Sequence, residues 1–171
     1  MVVFAMSGSL REGSANTEIL NLLKPLLPKN SELILYSGIG KLPHYNPDFD
    51  QDNEPAAVKE MRGMIARSNM VIISTPEYAH GIPGSLKNAL DWLVSTTVLD
   101  KKPIGLIFGS ASLSLFAQDA LVEVLKTMNG NVIPDAVINI DGIRAKIEDN
   151  SITEELKKFM DNIISGTVVK S

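Results

Sequence analysis

Two apolar runs, VVFAM at Val2–Met6 and MVIIS at Met70–Ser74, each lead through a polar loop into a helix-like stretch. Both runs are apolar almost throughout, which is typical of strands buried on both faces of a parallel sheet. The stretch after the second loop carries Leu86, Leu90 and Leu93 on one helical face. Strand-like and helix-like runs alternate in this way along the chain, which predicts a parallel sheet covered by helices.

The same alternation predicts the bounds of the other elements. The expected strands are Val2–Met6, Leu33–Tyr36, Met70–Ser74, Pro103–Phe108 and Val132–Ile140. The expected helices are Ala15–Leu27, Pro55–Ser68, Leu86–Val94, Ser114–Met128 and Thr153–Ile164. A loop rich in Pro, Asn and Asp extends from Ser37 to about Asn53. The pattern predicts one doubly wound α/β domain over residues 1–171 with a five-stranded parallel sheet. Of the orders common in doubly wound sheets, we expect 2-1-3-4-5.

The composition excludes several kinds of chemistry. The chain has 171 residues and no cysteine, which rules out disulfides, thiolate catalysis, iron–sulfur clusters and cysteine zinc sites. Its only histidines are His44 and His80, so we expect no metal site. A net charge of −4 argues against nucleic-acid binding. The short apolar start has no basic segment, so we expect no signal peptide, no membrane span and a cytoplasmic location.

The loop after the first strand has the sequence SGSLREGSAN from Ser7 to Asn16 and leads into a helix. The N–H groups of a helix's first turn and its positive dipole end favour an anion. Ser9, Ser14 and Asn16 can donate from their side chains, and Arg11 adds a permanently charged fork. This pattern predicts a site for a phosphomonoester. The alternative is that Ser14 is only the N-cap of the helix, preceded by an ordinary surface turn.

The loop after the third strand begins TPEYAHGIPGS at Thr75. Pro76 and the pair Pro83-Gly84 shape this loop, and Tyr78 provides a flat aromatic face. In a sheet of order 2-1-3-4-5 the topological switch lies between strands 1 and 3, so both unusual loops should line one crevice at the carboxyl edge. A phosphate site beside an aromatic loop suits a mononucleotide with a flat ring.

Both loops resemble motifs of the NADPH-dependent FMN reductase family. Ser7–Asn16 is similar to that family's Gly-Ser-x-Arg-x-x-Ser-x-Asn phosphate motif. Pro76–Trp92 is similar to its Pro-Glu-Tyr-x-x-x-x-Pro-x-x-Leu-Lys-Asn-Ala-Leu-Asp-Trp signature. Leu42–Asp48 is similar to the family's middle loop, and the resemblance covers residues 1–130 or so.

The resemblance implies a flavodoxin-like fold that binds FMN at nine positions of this chain. The residues implied to hold the flavin phosphate are Ser9, Arg11, Ser14 and Asn16. Those implied to contact the isoalloxazine, largely through their backbone, are Pro76, Glu77 and Tyr78. Two positions depart from the family. Ala79 stands where many members have Asn, so only its backbone can contribute, and Gly109–Leu115 is not glycine-rich, although Ser110 can still bond the flavin edge.

The resemblance also implies an oxidoreductase. A hydride would pass from NAD(P)H through bound FMN to a quinone, azo, flavin or metal-oxyanion acceptor. Because the flavin stores the electrons, no catalytic side chain is expected. Two alternatives remain: a flavin-binding electron carrier without steady NAD(P)H turnover, and a binding protein with an empty crevice.

A small domain leaves a shallow flavin crevice, so we expect a homodimer or homotetramer in which a neighbouring subunit completes it. Trp92 falls off the face formed by the spaced leucines, so we expect another subunit to bury it. His80 either reaches the cofactor or substrate, or is solvated or caps a turn. An acidic run predicts a solvated loop, or in the family a segment near the subunit interface. Its members are Asp48, Asp50, Asp52 and Glu54.

Overall fold

Five parallel strands form one sheet in the order β2-β1-β3-β4-β5. The computed structural model describes residues 1–50, 53–111 and 113–168. The strands are Val2–Ser7 (β1), Glu32–Tyr36 (β2), Met70–Thr75 (β3), Pro103–Ser110 (β4) and Asn131–Asp141 (β5). The predicted fold class and strand order are therefore confirmed, and the crossover between β1 and β3 creates the expected switch point.

Helices cover both faces of the sheet. They are Ala15–Leu22 (α1), Ala56–Arg67 (α2), Gly84–Asp91 (α3), Leu115–Thr127 (α4), Ile143–Glu148 (α5) and Thr153–Val168 (α6). Buried side chains of α2, α3 and α4 share one apolar cluster, and those of α1, α5 and α6 share the other. Within the described ranges, no helix combines the length and the hydropathy needed to cross a bilayer.

Most helices differ from their predicted bounds by a few residues, and the largest differences concern α1 and α5. The first ends at Leu22 instead of Leu27, and a 3-10 turn follows at Lys24–Leu26. Pro25 lies in that turn, where it has no N–H to donate and its ring obstructs a continuing α-helix. The short α5 was not predicted, because six residues are too few for a periodic pattern to show.

Trp92 is fully buried by its own chain, so the expectation that another subunit buries it is wrong. Its indole Nε1 donates to the carbonyl of Pro43 at 2.8 Å. The ring of Tyr45 packs edge-on against it, with 5.1 Å between the centroids. The long loop after β2 folds back over α3 and provides the cover that the leucine periodicity of that helix could not reveal.

Arg62 fixes the end of the same long loop. Its guanidinium lies 3.0 Å from Asp50 and 2.6 Å from Glu54, and its Nε donates to the carbonyl of Trp92 at 2.9 Å. The Asp50 side chain is only 7% exposed, so the prediction of a solvated acidic loop is wrong at that position. Asp52, the third member of the acidic run, lies outside the described residues.

Candidate functional site

A cavity of about 390 Å³ opens at the carboxyl edge of the sheet, where the loops after β1 and β3 meet. Its volume lies within the usual range for small-ligand sites. Its lining includes all the predicted site residues except Ala79. These lining residues are Ser9, Arg11, Ser14, Asn16, Pro76, Glu77, Tyr78 and Ser110. The structure thus brings the two motifs together, while their contacts with a ligand remain predictions.

A larger cavity of about 1010 Å³ lies at the opposite end of the sheet, where the strands begin. Asn69, Lys101 and Asn131 are among its lining residues. In doubly wound sheets ligands bind beyond the carboxyl ends of the strands, at the switch point. We therefore assign the candidate site to the smaller cavity.

The start of α1 presents unpaired backbone donors to the cavity. Ser14 occupies the N-cap position, as the alternative interpretation predicted, but its hydroxyl makes no capping bond. Within the described residues, the N–H groups of Ser14, Ala15 and Asn16 have no protein acceptor. Arg11 lines the same cavity and adds a permanent positive charge. Unpaired N–H groups, a helix dipole and a guanidinium together suit a phosphate.

The side chain of Asn16 is already engaged within the protein. Its Nδ2 donates to the carbonyl of Gly109 at 2.9 Å, and its Oδ1 accepts from Ser74 Oγ at 2.9 Å. The amide therefore ties α1 to the ends of β3 and β4. Its remaining hydrogen-bonding capacity toward a ligand lies in its second amide N–H and its backbone N–H.

The loop after β3 forms a tight turn at the mouth of the cavity. Tyr78 and Gly81 exchange two backbone hydrogen bonds, of 2.9 and 3.0 Å. The two central residues, Ala79 and His80, have φ of +49° and +58°. Positive φ at both central positions defines a type I′ turn, which usually needs Gly, Asn or Asp. The turn holds the half-exposed Tyr78 ring beside the cavity.

Glu77 joins this turn to the loop after β4. Its backbone N–H donates to Ser110 Oγ at 3.2 Å, and Ser114 Oγ donates to the same oxygen at 2.9 Å. Its carboxylate accepts from the N–H of Ala117 at 2.8 Å, in the first turn of α4. The carboxylate therefore supplies a helix cap from another loop, since the side chain of Ser114, at the N-cap of α4, makes no capping bond.

His80 lies on the outside of the turn. Its side chain is 77% exposed, and its Nδ1 is 3.5 Å from Glu77 Oε1. Its ring packs edge-on against Phe116, with 4.5 Å between the centroids. Of the two interpretations of His80, the structure favours the solvated one.

Arg144, at the start of α5, is a lining residue that sequence reasoning missed. It follows β5, whose carboxyl end lies at the same sheet edge as that of β1. The position of an arginine just after the last strand could have indicated this role. The sequence around Arg144 matches no motif, so the role was not predicted. The cavity therefore has two guanidinium groups, from Arg11 and Arg144.

The cavity has distinct polar and aromatic parts. Unpaired N–H groups, hydroxyls and two arginines lie on the α1 side. The Tyr78 ring and the backbone of Pro76–Tyr78 lie on the β3 side. This arrangement fits FMN, whose phosphate needs donors and cations and whose isoalloxazine needs a flat apolar face and polar edge contacts.

Comparison with known proteins supports this interpretation. Residues 1–144 match the model of the family described as NADPH-dependent FMN reductase. A 2-hydroxy-1,4-benzoquinone reductase from Burkholderia is 32% identical over 161 residues, which cover 90% of this chain and 86% of that protein. A quinone reductase from Escherichia coli strain K12 is 38% identical over 92 residues, which cover 53% of this chain. That match spans about half of the relative, 49% of its length.

A solved structure gives the same result for the fold. The flavoenzyme FerB from Paracoccus denitrificans, an NAD(P)H:(acceptor) oxidoreductase, aligns with a TM-score of 0.77 and 28% identity. The alignment covers 96% of this chain and 97% of that one. On the evidence of its sheet, its two loops and these matches, the chain belongs to the NADPH-dependent FMN reductase family.

Proposed function

We propose that this protein is an FMN-dependent NAD(P)H oxidoreductase that reduces small planar quinones. The observation that carries the proposal is the set of unpaired N–H groups at Ser14, Ala15 and Asn16, which lie beside Arg11 and open into the cavity at the switch point. Relatives named quinone reductase and FMN reductase support the same activity.

The residues of the chain would bind and orient the cofactor. Ser9, Arg11, Ser14 and Asn16 would hold the phosphate through side-chain and backbone donors. The backbone of Pro76–Ala79 and the hydroxyl of Ser110 would meet the isoalloxazine. FMN, when bound, supplies the redox chemistry by accepting a hydride and passing its electrons to an acceptor.

The exposed ring of Tyr78 at the cavity favours a flat conjugated acceptor, such as a quinone, over a metal oxyanion. Tyr78 is 53% exposed and Phe116 is 59% exposed, and the His80 ring lies against Phe116. Exposed aromatic rings at a cavity mouth gain most from stacking with another flat ring. Arg11 lies on the α1 side of the cavity, where the FMN phosphate would neutralise it, and the charge of Arg144 on the same side is paired with Glu18.

An absorbance and kinetic experiment tests the proposal. The purified protein should bind FMN, and anaerobic mixing with NADPH should bleach the flavin band. A later addition of 1,4-benzoquinone should restore that band, with a kcat/KM above that for chromate. A protein that binds FMN but stays oxidised with both NADPH and NADH would be an electron carrier. Failure to bind FMN would contradict both functions.

We also propose a homodimer or homotetramer in the cytoplasm. Leu113 and Leu115, near the start of α4, are more than half exposed and follow Ser110, the last residue of β4. A second subunit could cover them and deepen the cavity. Light scattering during gel filtration would give the mass, and a mass near the 18.5 kDa of one chain would contradict the proposal.

A further inference from the structure

Arg144 connects α5 to the phosphate loop, although the two are far apart in sequence. Its Nη2 donates to the carbonyl of Gly13 at 2.7 Å. Its Nη1 lies 3.1 Å from Glu18 Oε2. Gly13 precedes the N-cap of α1, and Glu18 lies in the first turn of that helix. One side chain thus contacts both ends of the segment that carries the unpaired donors.

The backbone around Arg144 fixes its position. Gly142 has φ of +58°, a left-handed conformation that turns the chain from β5 into α5. Ile143 is buried and packs against Gly109, where an added Cβ would lie 2.0 Å from Ile143 Cδ1. The buried residue before Arg144 therefore anchors the start of α5 at the cavity.

The ion pair between Arg144 and Glu18 contributes little to the free energy of unfolding. The side chains of Arg144 and Glu18 are 44% and 40% exposed, so solvent screens their attraction. The more informative contact of Arg144 is its hydrogen bond to the Gly13 carbonyl oxygen. A charged donor bound to one loop carbonyl determines which way that peptide group faces.

The Gly13–Ser14 peptide is the group whose direction matters. Gly13 has φ of +62° and open space around its missing Cβ, so its backbone can rotate at little cost. In a planar trans peptide the carbonyl and the N–H point in opposite directions. While Arg144 holds the Gly13 carbonyl, the Ser14 N–H points away from it and stays without a protein acceptor in the part of the chain that the structure describes. A flipped peptide would replace that donor by an oxygen, which repels an anion.

We propose that Arg144 is a positioning residue of the phosphate loop. By holding the Gly13 carbonyl it keeps the Ser14 N–H available to a phosphomonoester. The inference rests on the proposed function, in which that group is the phosphate of FMN. It adds a residue from beyond the two recognised motifs.

The first experiment examines the ligand-free protein and does not depend on flavin binding. Arg144→Met should shift or broaden the ¹⁵N–¹H resonances of Gly13 and Ser14, and Arg144→Lys, which keeps a cationic donor on a long stem, should restore them. Arg67→Met is the matched control, because Arg67 forms a 4.0 Å surface pair with Glu32 far from the cavity. Unchanged Gly13 and Ser14 resonances in Arg144→Met would overturn the inference.

The second experiment compares FMN with riboflavin, which has the same ring system and no phosphate. Arg144→Met should weaken FMN binding about tenfold. This is the order expected when the phosphate loses the charge-assisted hydrogen bond from the Ser14 N–H. Its riboflavin affinity should stay within about twofold of wild type, Arg144→Lys should regain most of the FMN affinity, and Arg67→Met should change neither. Equal weakening of both ligands, or unchanged FMN binding, would overturn the inference. If the wild type bound neither flavin, the proposed function would fail, and the resonance experiment would still decide whether Arg144 holds the loop.

Discussion

Ala79 and His80 adopt a left-handed backbone that L-residues avoid. Each such residue costs about 1–2 kcal/mol relative to a right-handed one. The two hydrogen bonds between Tyr78 and Gly81 hold the turn, and Glu77 anchors it to α4. Strain of this kind persists where the surroundings fix the backbone, and it is concentrated at functional sites.

Glycine at position 79 should relieve this strain. We expect Ala79→Gly to raise the free energy of unfolding by about 0.5–1 kcal/mol, the left-handed strain less the extra entropy of glycine in the unfolded chain. Ala66→Gly, at an exposed position of α2, should lower it by about 0.5–1 kcal/mol, because that backbone is right-handed. Urea denaturation gives both values, and a loss of stability in Ala79→Gly would refute the strain argument.

Gly109 is required by close packing rather than by its φ. An added Cβ would lie 2.0 Å from Ile143 Cδ1 and 2.9 Å from Asn16 Oδ1. Gly109→Ala should therefore lower the free energy of unfolding by about 1–3 kcal/mol, as overpacking does, and weaken FMN binding by displacing α1.

The matched control for this prediction is Gly63→Ala in α2, where nothing lies within 4 Å of the added Cβ. It should stabilise the protein by about 0.5–1 kcal/mol through helix propensity. Thermal unfolding and flavin titration would test both variants. If Gly109→Ala were as stable as wild type, Asn16 and Ile143 would be free to move, contrary to the packing described above.

At the scale of elements, the loop after β3 and α4 are joined by one carboxylate. The Glu77 carboxylate accepts a hydrogen bond from the Ala117 N–H at 2.8 Å, and the Glu77 backbone N–H donates to Ser110 Oγ at 3.2 Å. Phe116 then packs against the His80 ring. The turn that carries Tyr78 is thus held in place by a helix that neither motif includes.

Removing this cap should separate the two elements. We expect Glu77→Ala to lower the free energy of unfolding by about 1–2 kcal/mol, the usual cost of a lost N-terminal cap. Glu77→Gln should lose less than half of that, because its amide oxygen can still accept from Ala117. Urea denaturation with hydrogen exchange at the start of α4 would measure both effects. Equal losses in the two variants would show that the charge, and not the cap, matters.

At the scale of the whole molecule, Lys102 closes the amino end of the sheet. Its Nζ donates to the carbonyls of Ile65 and Ser68 at 2.8 and 2.6 Å, at the end of α2. Burial lowers the pKa of this amine below its ordinary value of 10.5. The Lys102 amine therefore donates to carbonyls at the end of α2 while it is partly desolvated.

This lowered pKa predicts how stability changes with pH. Between the folded pKa and 10.5 the unfolded chain binds more protons, so the contribution of Lys102 to the free energy of unfolding rises with pH. Burial and the charge of Glu60 raise the pKa of Tyr36 above 10.0, so the contribution of that group falls with pH above that value. Wild type and Lys102→Met share the Tyr36 effect, which cancels in their difference.

The measurement is urea denaturation of both proteins from about pH 8 upward toward the ordinary lysine pKa. The stability of wild type minus that of Lys102→Met should increase across this window. Lys29→Met, at an exposed site, controls for the loss of one positive charge. A difference that falls with pH would mean that the bonds to the helix carbonyls stabilise the charged form more than burial disfavours it.

Local patterns predicted most of the architecture and one side of the site. Strands buried on both faces are apolar along their whole length, so β1 and β3 could be recognised without knowledge of their neighbours. The loops after them carry dense motifs, which located Ser9, Arg11 and Tyr78. The end of α1 was misplaced because helical periodicity continues through Pro25, although its ring stops the helix.

By itself, the sequence determined the parallel sheet, the two loops and their family, because these depend on patterns within short segments. The strand order followed from the fold that such patterns are typical of. Only the tertiary structure decided what covers Trp92, what Glu77 caps and which carbonyl Arg144 holds. Each of these contacts joins residues that are 40 to 131 positions apart in the sequence. No local pattern encodes such contacts, because they form only when close packing brings distant segments to the same edge of the sheet.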